Sequence, residues 1–342
     1  MPVYGVVMEK AIFMSSSAAT IDKAYSPELK AHMTECFGEI PYVTEFTEDK
    51  LKARRDMLSD VRYIFSTWGM PALSPEIIAE YLPSLAAVFY AAGSVQGFAR
   101  NFLSRGVRIF SAWGANGIPV AEVTVAQIIL ANKGYFQRLK CGSHETWDNR
   151  TCPVPFEGNY NTKVGIIGVG MIGREVIRML KAYKLNVYVY DKFLSDEAAA
   201  ELGVTKESLE YIFSECSVIS NHLANNAQTR GMLTGELFAL MKPGAAFINT
   251  GRGAQVDEAG LARAMRDVPT RIALLDVTDP EPPVPGSELY RLPNVFLSPH
   301  LAGSIGNEVQ RMGEFMFAEY EALASGKPVK YEVTLEMLAT MA

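Results

Sequence analysis

The sequence predicts an α/β protein of two domains, the larger built on a doubly wound parallel sheet. Three observations lead there. At 342 residues the chain is long enough for about two domains. From residue 163 onward, short apolar runs alternate with helical patterns, as in a parallel sheet with crossover helices. A glycine-rich turn follows the first of these runs, and about 160 residues precede it. Another domain therefore comes first or is completed around it.

Composition narrows the class. Hydrophobic residues make up 49% and charged residues 20%, as in an ordinary globular chain. With 27 glycines and 18 prolines, collagen-like and low-complexity classes are excluded. A net charge of −6 without a basic cluster argues against a nucleic-acid partner. No uninterrupted apolar run reaches the ~18 residues that span a bilayer. Glu9 and Lys10 break any signal-peptide pattern, so a cytoplasmic location without a membrane partner is expected. Cys36, Cys141, Cys152 and Cys216 form no C-x-x-C pair and read as reduced thiols. Cys141 and Cys152 could close a loop, which geometry alone decides. Four scattered histidines give no zinc-ligand pattern, so no metal is expected.

Each element has its own signal. Residues 61–66, 85–90 and 107–110 are short apolar strands. Between the first two, Ser74-Pro75-Glu76 opens a helix, with Ser74 as cap and Pro75 at the first helical position. The second strand ends at the small-residue turn Ala92-Gly93-Ser94. Residues 121–139 carry charge only at Glu122, Lys133 and Arg138, the pattern of a long, mostly buried connecting helix. The polar stretch 141–160 reads as a surface loop in the passage between domains. Strands follow at 164–168, 186–190, 218–221, 246–249, 272–276 and 295–297. A last helix, about 307–324, stops at Ser325-Gly326 with Pro328 beyond.

The glycine turn reads Gly168-Val-Gly170-Met171-Ile172-Gly173. The motif G-x-G-x-x-G is weak alone. Here it follows an apolar strand, opens a helix, and is answered by Asp191 at the end of the next strand, 18 residues after Gly173. This is the context of a Rossmann dinucleotide site. Gly168 suits the tight turn, Gly170 the approach of the pyrophosphate, and Gly173 close helix–strand packing. The free N–H groups near Met171 and Ile172 face the phosphates. Asp191 can accept from the ribose hydroxyls and would repel a 2′-phosphate, which favours NAD over NADP, although Lys192 follows directly.

Further stretches resemble one family, the D-isomer-specific 2-hydroxyacid dehydrogenases. Met241-Lys-Pro-Gly-Ala-Ala-Phe-Ile-Asn-Thr250-Gly-Arg252-Gly-Ala-Gln-Val-Asp-Glu258 resembles its signature. Asp276-Val-Thr-Asp-Pro-Glu281 resembles its acidic motif, and Ser298-Pro-His300-Leu-Ala-Gly303 its histidine motif. The loop from His222 is an imperfect match, with Ala224 and Asn226 where proline and threonine are usual. Asn116 and the helix entry Val120-Ala-Glu122 also match, with Trp113 in place of a usual proline. The resemblance covers about 120–304 and is weak before that.

That resemblance implies a discontinuous substrate domain, 1–120 with 305–342, and an NAD-binding Rossmann domain, 121–304. It implies a homodimer and a cleft that closes over substrate, the connecting helix and the loop before Lys163 forming the hinge. It further implies that Arg252 binds substrate, that Glu281 partners His300, and that Asp276 contacts the nicotinamide end. His222, Asn226 and Thr250 fall on the cofactor side; His222 is otherwise an ordinary loop histidine. Backbone N–H groups at Gly93 and Ser94 would meet the substrate carboxylate, although Val95-Gln96-Gly97-Phe98 departs from the family's usual pattern after that turn. Trp113 is either a wall of that region or core. The chain's end at 342 predicts that the regulatory domain of some phosphoglycerate-type relatives is absent.

The chemistry suits these residue types. Reducing a small 2-oxo acid to its 2-hydroxy acid requires hydride at C2 and a proton at the carbonyl oxygen. An imidazole, which ordinarily titrates near ~6.5, can supply the proton. A neighbouring carboxylate stabilises the imidazolium and orients the ring. Arg252 offers a planar fork of donors for the substrate carboxylate and carbonyl oxygen. Singly, a histidine after Ser-Pro, an arginine between glycines and a glutamate among prolines are ordinary loop residues. Together, behind a dinucleotide fingerprint, they form a catalytic set. The alternative is an NAD(H)-sensing binding protein, like corepressor relatives of this fold. Formate oxidation is disfavoured, because that branch carries glutamine where Glu281 stands. Asp257 and Glu258 are expected to be helix-start residues.

Overall fold

The computed structural model describes residues 9–139 and 155–339. Cys141, His144 and Cys152, and with them the expected loop pairing, lie outside these residues. By contacts the chain divides into two compact units, Met1–Asn116 with Ser304–Ala342, and Gly117–Gly303. The chain passes between units at Asn116/Gly117 and Gly303/Ser304.

The first unit holds strands β1 (Lys10–Met14), β2 (Tyr42–Val43), β3 (Val61–Ser66), β4 (Ala87–Tyr90) and β5 (Arg108–Ser111). The second holds β6 (Tyr160–Ile167), β7 (Lys184–Tyr190), β8 (Thr205–Lys206), β9 (Val218–Asn221), β10 (Ala246–Asn249), β11 (Ile272–Leu275) and β12 (Val295–Leu297). The chain then returns to the first unit through helix Glu308–Ala324 and β13 (Glu332–Val333).

The first sheet runs β13-β5-β4-β3-β1-β2, all parallel except β13. The second runs β12-β11-β10-β9-β6-β7-β8 and is wholly parallel. Counted from β6, that is the 3-2-1-4-5-6 Rossmann order with a seventh strand added. The switch point lies where β6 pairs with β9.

Continuous apolar strands are the signature of a sheet buried on both faces, and the two-residue alternation appears in the cores. Ile12 and Met14 face one core of the first sheet, Ala11 and Phe13 the other. In the second sheet Ile167, Ile219 and Phe247 face one side, and Val164, Val218 and Ile248 the other. Phe65, Phe89 and Phe110 sit in register on β3, β4 and β5. Their rings stack at 5.2 and 4.9 Å. Tyr320 of the returning helix meets Phe89 edge-on at 5.9 Å. This ladder seats the C-terminal segment in the first unit.

Most strands fall where the sequence places them. β1, β2, β8 and β13 were not expected; three of these have two residues each. The Ser74 cap is present, its side chain accepting from Ile77 N–H. The final helix spans Glu308–Ala324 with Asn307 as cap. The connecting helix needs correction. It runs Trp113–Asn132, with Pro119 inside, and a separate turn follows at Tyr135–Arg138. By length and composition this helix could cross a membrane, although Asn116, Glu122 and Gln127 interrupt its apolar run. Its Ala121, Val125, Ile128 and Ala131 pack in the core beside β6. Trp113 stacks edge-on against Tyr331 at 5.2 Å.

Candidate active site

All predicted residues of the second unit except Asn226 and Glu281 lie in the turns after the C-terminal ends of its parallel strands or, for Met171, Ile172 and Gly173, in the first turn of the helix that follows, where open α/β sheets carry ligands. The glycine loop follows β6. Gly168 has φ +90°, and a Cβ there would meet the His222 backbone at 2.7 Å. A Cβ on Gly173 would strike the Gly168 carbonyl at 2.1 Å, whereas nothing lies within 4 Å of one on Gly170. Two of the glycines thus close the turn and the third leaves open the space a pyrophosphate requires. Helix Met171–Leu180 starts at Gly170 with no side-chain cap, so the N–H groups at Met171 and Ile172 remain for an anion. These residues fit a dinucleotide.

The Asp191 carboxylate is engaged by main-chain donors of two loops. Its Oδ2 accepts from Val169 N–H at 2.7 Å, and its Oδ1 from Phe193 and Leu194 N–H at 2.8 and 3.1 Å. The carboxylate therefore fastens the glycine loop to the loop after β7. Spare lone-pair capacity remains for a ribose hydroxyl.

His222 follows β9 and is 9% exposed. Its Nε2 pairs with Ser220 Oγ at 2.9 Å, and its Nδ1 has no partner among the described residues. Burial pushes its pKa down to about 4. An unfolded chain protonates this ring near ~6.5, so folding loses stability as pH falls from ~6.5 toward 4. The contribution at stake is about 3 kcal/mol. His222→Gln is expected to flatten that part of the stability–pH profile in urea unfolding; an unchanged slope refutes the assignment.

Asn226 and Thr250 have local partners. Asn226 Oδ1 accepts from Gln228 and Thr229 N–H at 2.9 and 3.2 Å, closing its own turn. The buried Thr250 hydroxyl pairs with Thr124 at 3.0 Å.

The residues expected to do the chemistry lie near the ends of β10, β11 and β12. His300 Nδ1 and Glu281 Oε1 are 2.7 Å apart, both side chains partly exposed. Arg252 Nη1 donates to Gly251 O at 2.7 Å. Burial lowers the pKa of Arg252, and the negative charge of Glu281 opposes that shift. His300 and Glu281 thus form a pair, and Arg252 lies within electrostatic reach of Glu281. A Cβ on Gly253 would fall 1.9 Å from the Thr278 carbonyl carbon. Only glycine lets the Arg252 turn pack against the loop carrying the acidic motif.

Asp276 is 3% exposed and lies beneath His300. Its Oδ1 accepts from Ser298 Oγ at 2.5 Å and from Leu301 N–H at 2.9 Å; its Oδ2 accepts from Ala302 N–H at 2.9 Å. Its backbone carbonyl accepts from His300 N–H at 3.0 Å. His300 itself has φ +51°, an uncommon conformation for a residue other than glycine. The fixed turn around it holds it there.

Asp257 caps helix Glu258–Asp267, accepting from Gly260 N–H. Glu258 accepts from Asp279 N–H at 2.8 Å, steadying the approach to Glu281. Sequence reasoning missed Asn221, Asn249 and Gln255, whose side chains hold the Arg252 turn; polar residues at strand ends look like loop residues. In the first unit, Gly93 and Ser94 follow β4. The Ser111 hydroxyl donates toward the carbonyls of Ala92 and Gly93 at 2.9 and 2.5 Å. Among the described residues no group of His, Cys, Asp and Glu could hold a metal.

Comparison with known proteins bears on this arrangement. Residues 125–302 match the family described as D-isomer specific 2-hydroxyacid dehydrogenase, NAD binding domain. The D-3-phosphoglycerate dehydrogenase of Archaeoglobus fulgidus is 32% identical over 232 residues, 68% of this chain but 44% of that protein. The chain thus spans less than half the length of such curated relatives. Among solved structures, a phosphoglycerate oxidoreductase from Rhizobium etli has TM-score 0.79 at 23% identity, over 96% of this chain and 99% of that one. The apo D-mandelate dehydrogenase of Rhodotorula graminis has TM-score 0.78 at 21% identity, over 95% and 98%. These structures share the fold. The chain belongs to the D-isomer specific 2-hydroxyacid dehydrogenase family, and its second unit carries that family's NAD-binding domain.

Proposed function

We propose that the protein transfers hydride between NAD(H) and C2 of a small 2-hydroxy or 2-oxo acid. The observation that carries this is the 2.7 Å His300–Glu281 pair on the NAD-binding unit, with Arg252 within electrostatic reach of Glu281. Bound NADH would supply the hydride. Nδ1–H of His300 donates to Glu281, which leaves Nε2 to give a proton to the carbonyl oxygen or take one from the hydroxyl. Arg252 keeps its charge and presents paired donors to the carboxylate. Asp276 holds the histidine turn.

The test is oxidation of NADH and NADPH with glyoxylate, pyruvate, hydroxypyruvate, phenylpyruvate and phosphohydroxypyruvate. Turnover of at least one acid, faster with NADH, is the expected result. NADH binding without turnover of any acid would instead identify a cofactor-sensing protein.

We also infer a cytoplasmic homodimer without nucleic-acid or membrane partners. Exposed Leu130, Tyr135 and Leu139 along the connecting segment support self-association, and the net charge of −6 argues against nucleic acid. Light scattering on the purified protein reads the oligomeric state, and a monomeric mass refutes the dimer.

A further inference from the structure

Three amide side chains converge under the Arg252 turn: Asn221 at the end of β9, Asn249 at the end of β10, and Gln255 three residues beyond Arg252. All are at most 1% exposed. Asn221 Nδ2 donates to Asn249 Oδ1 at 3.0 Å and to Gln255 Oε1 at 2.6 Å. From this cluster Arg252 is held on both sides of its own residue. Asn249 Nδ2 donates to Arg252 O at 3.0 Å, and Gln255 Oε1 accepts from Arg252 N–H at 3.3 Å. Asn249 Oδ1 also accepts from Gly251 N–H at 3.1 Å.

The same amides grip the neighbouring loop. Leu223 N–H donates to Asn221 Oδ1 at 3.2 Å, and Gln255 Nε2 donates to Leu223 O at 2.8 Å. Leu223 directly follows His222, whose backbone backs the Gly168 turn. Gly251 leaves room for the cluster: a Cβ there would stand 3.1 Å from Asn221 Nδ2.

Where β9 and β10 end, their ladder no longer pairs the main chain. Five partly buried main-chain groups, at Leu223, Gly251 and Arg252, then need partners. An amide side chain both donates and accepts, so three of them satisfy all five groups and each other. An apolar side chain would fill the volume and orphan several of them.

We propose that Gln255, with Asn221 and Asn249, is a positioning residue that fixes the Arg252 backbone, and so aims its guanidinium, relative to the dinucleotide-side loop. The proposal rests on the reading above that Arg252 receives the substrate carboxylate. Gln255 itself touches neither substrate nor cofactor.

In Gln255→Leu, KM for the preferred 2-oxo acid should rise about tenfold or more, while NADH Kd stays within about a factor of two. The rise must act through Arg252. In an Arg252→Lys background, which lacks the fork, Gln255→Leu should change KM by less than about twofold. An equal factor in both backgrounds would make the residue merely structural and overturn the proposal. Asn249→Ala severs the other hold on Arg252 and should show the same non-additivity, which covers failure of Gln255→Leu to fold. A second readout needs no turnover: the rate of phenylglyoxal modification at Arg252, followed by peptide mass. It should change about fivefold or more in either variant, and an unchanged rate overturns the proposal. If the wild-type protein reduces no 2-oxo acid, the functional reading fails, and the labelling still decides whether Gln255 holds Arg252.

Discussion

His300→Gln is expected to lower kcat by about 10²–10⁴-fold, with NADH affinity, read by fluorescence titration, within about a factor of two of wild type. Glutamine retains much of the ring's reach and its hydrogen bonding, and cannot cycle a proton. The loss therefore reports proton transfer rather than an emptied site. Glu281 lies 2.7 Å from His300 Nδ1, so in the proposed reaction its carboxylate would select the tautomer and balance the imidazolium formed when a hydroxy acid is oxidised. Glu281→Gln keeps an acceptor and loses the charge, and should fall between wild type and His300→Gln in kcat. In His300→Gln, the further change Glu281→Gln should cost almost nothing, since the two act as a unit. Retention of more than about a tenth of wild-type kcat in His300→Gln would place the acid–base group elsewhere.

How much of this was legible in the sequence depends on the element. The buried strands are readable because a sheet covered on both faces demands apolar runs, and β4 and β11 have little else. The glycine loop is readable because each glycine answers a steric demand that persists in the fold. Arg252, Glu281 and His300 were reached through family resemblance, since 48 residues separate the first from the last. No local pattern brings such distant residues together; the parallel sheet does, by delivering successive strand ends to one edge. Strands of two residues carry no periodicity to detect. The start of the connecting helix was hidden by Gly114, Gly117 and Pro119, poor helix formers overridden by packing of Ala115 in the core of the first unit and Ala121 in that of the second. Gln255 was hidden because burial of an amide depends on which main-chain groups the fold strands beside it.

Asp276→Asn is expected to damage stability and catalysis together. The wild-type carboxylate takes three donors, Ser298 Oγ and the amides of Leu301 and Ala302, with 3% of the residue exposed. Hydrogen bonds to a charged acceptor contribute about 1.5–3 kcal/mol each. Asparagine has one acceptor oxygen. Whichever way its amide is turned, the NH₂ faces a main-chain N–H, and one buried donor loses its partner. That outcome costs about 2–4 kcal/mol, readable as a lower urea midpoint. The turn carrying His300 at φ +51° then loses an anchor, and kcat should fall by about tenfold or more, since small misplacements of a catalytic group are costly. Ser298→Ala removes a single donor and leaves both amides satisfied, so it should cost about 1.5 kcal/mol, the low end of that range, and spare most activity. The two roles of Asp276 separate here. A residue acting solely on the nicotinamide end would alter NADH affinity and leave the urea midpoint where it was. A residue holding the histidine turn lowers the midpoint and kcat even where NADH affinity is unchanged, which is the result its hydrogen bonds predict.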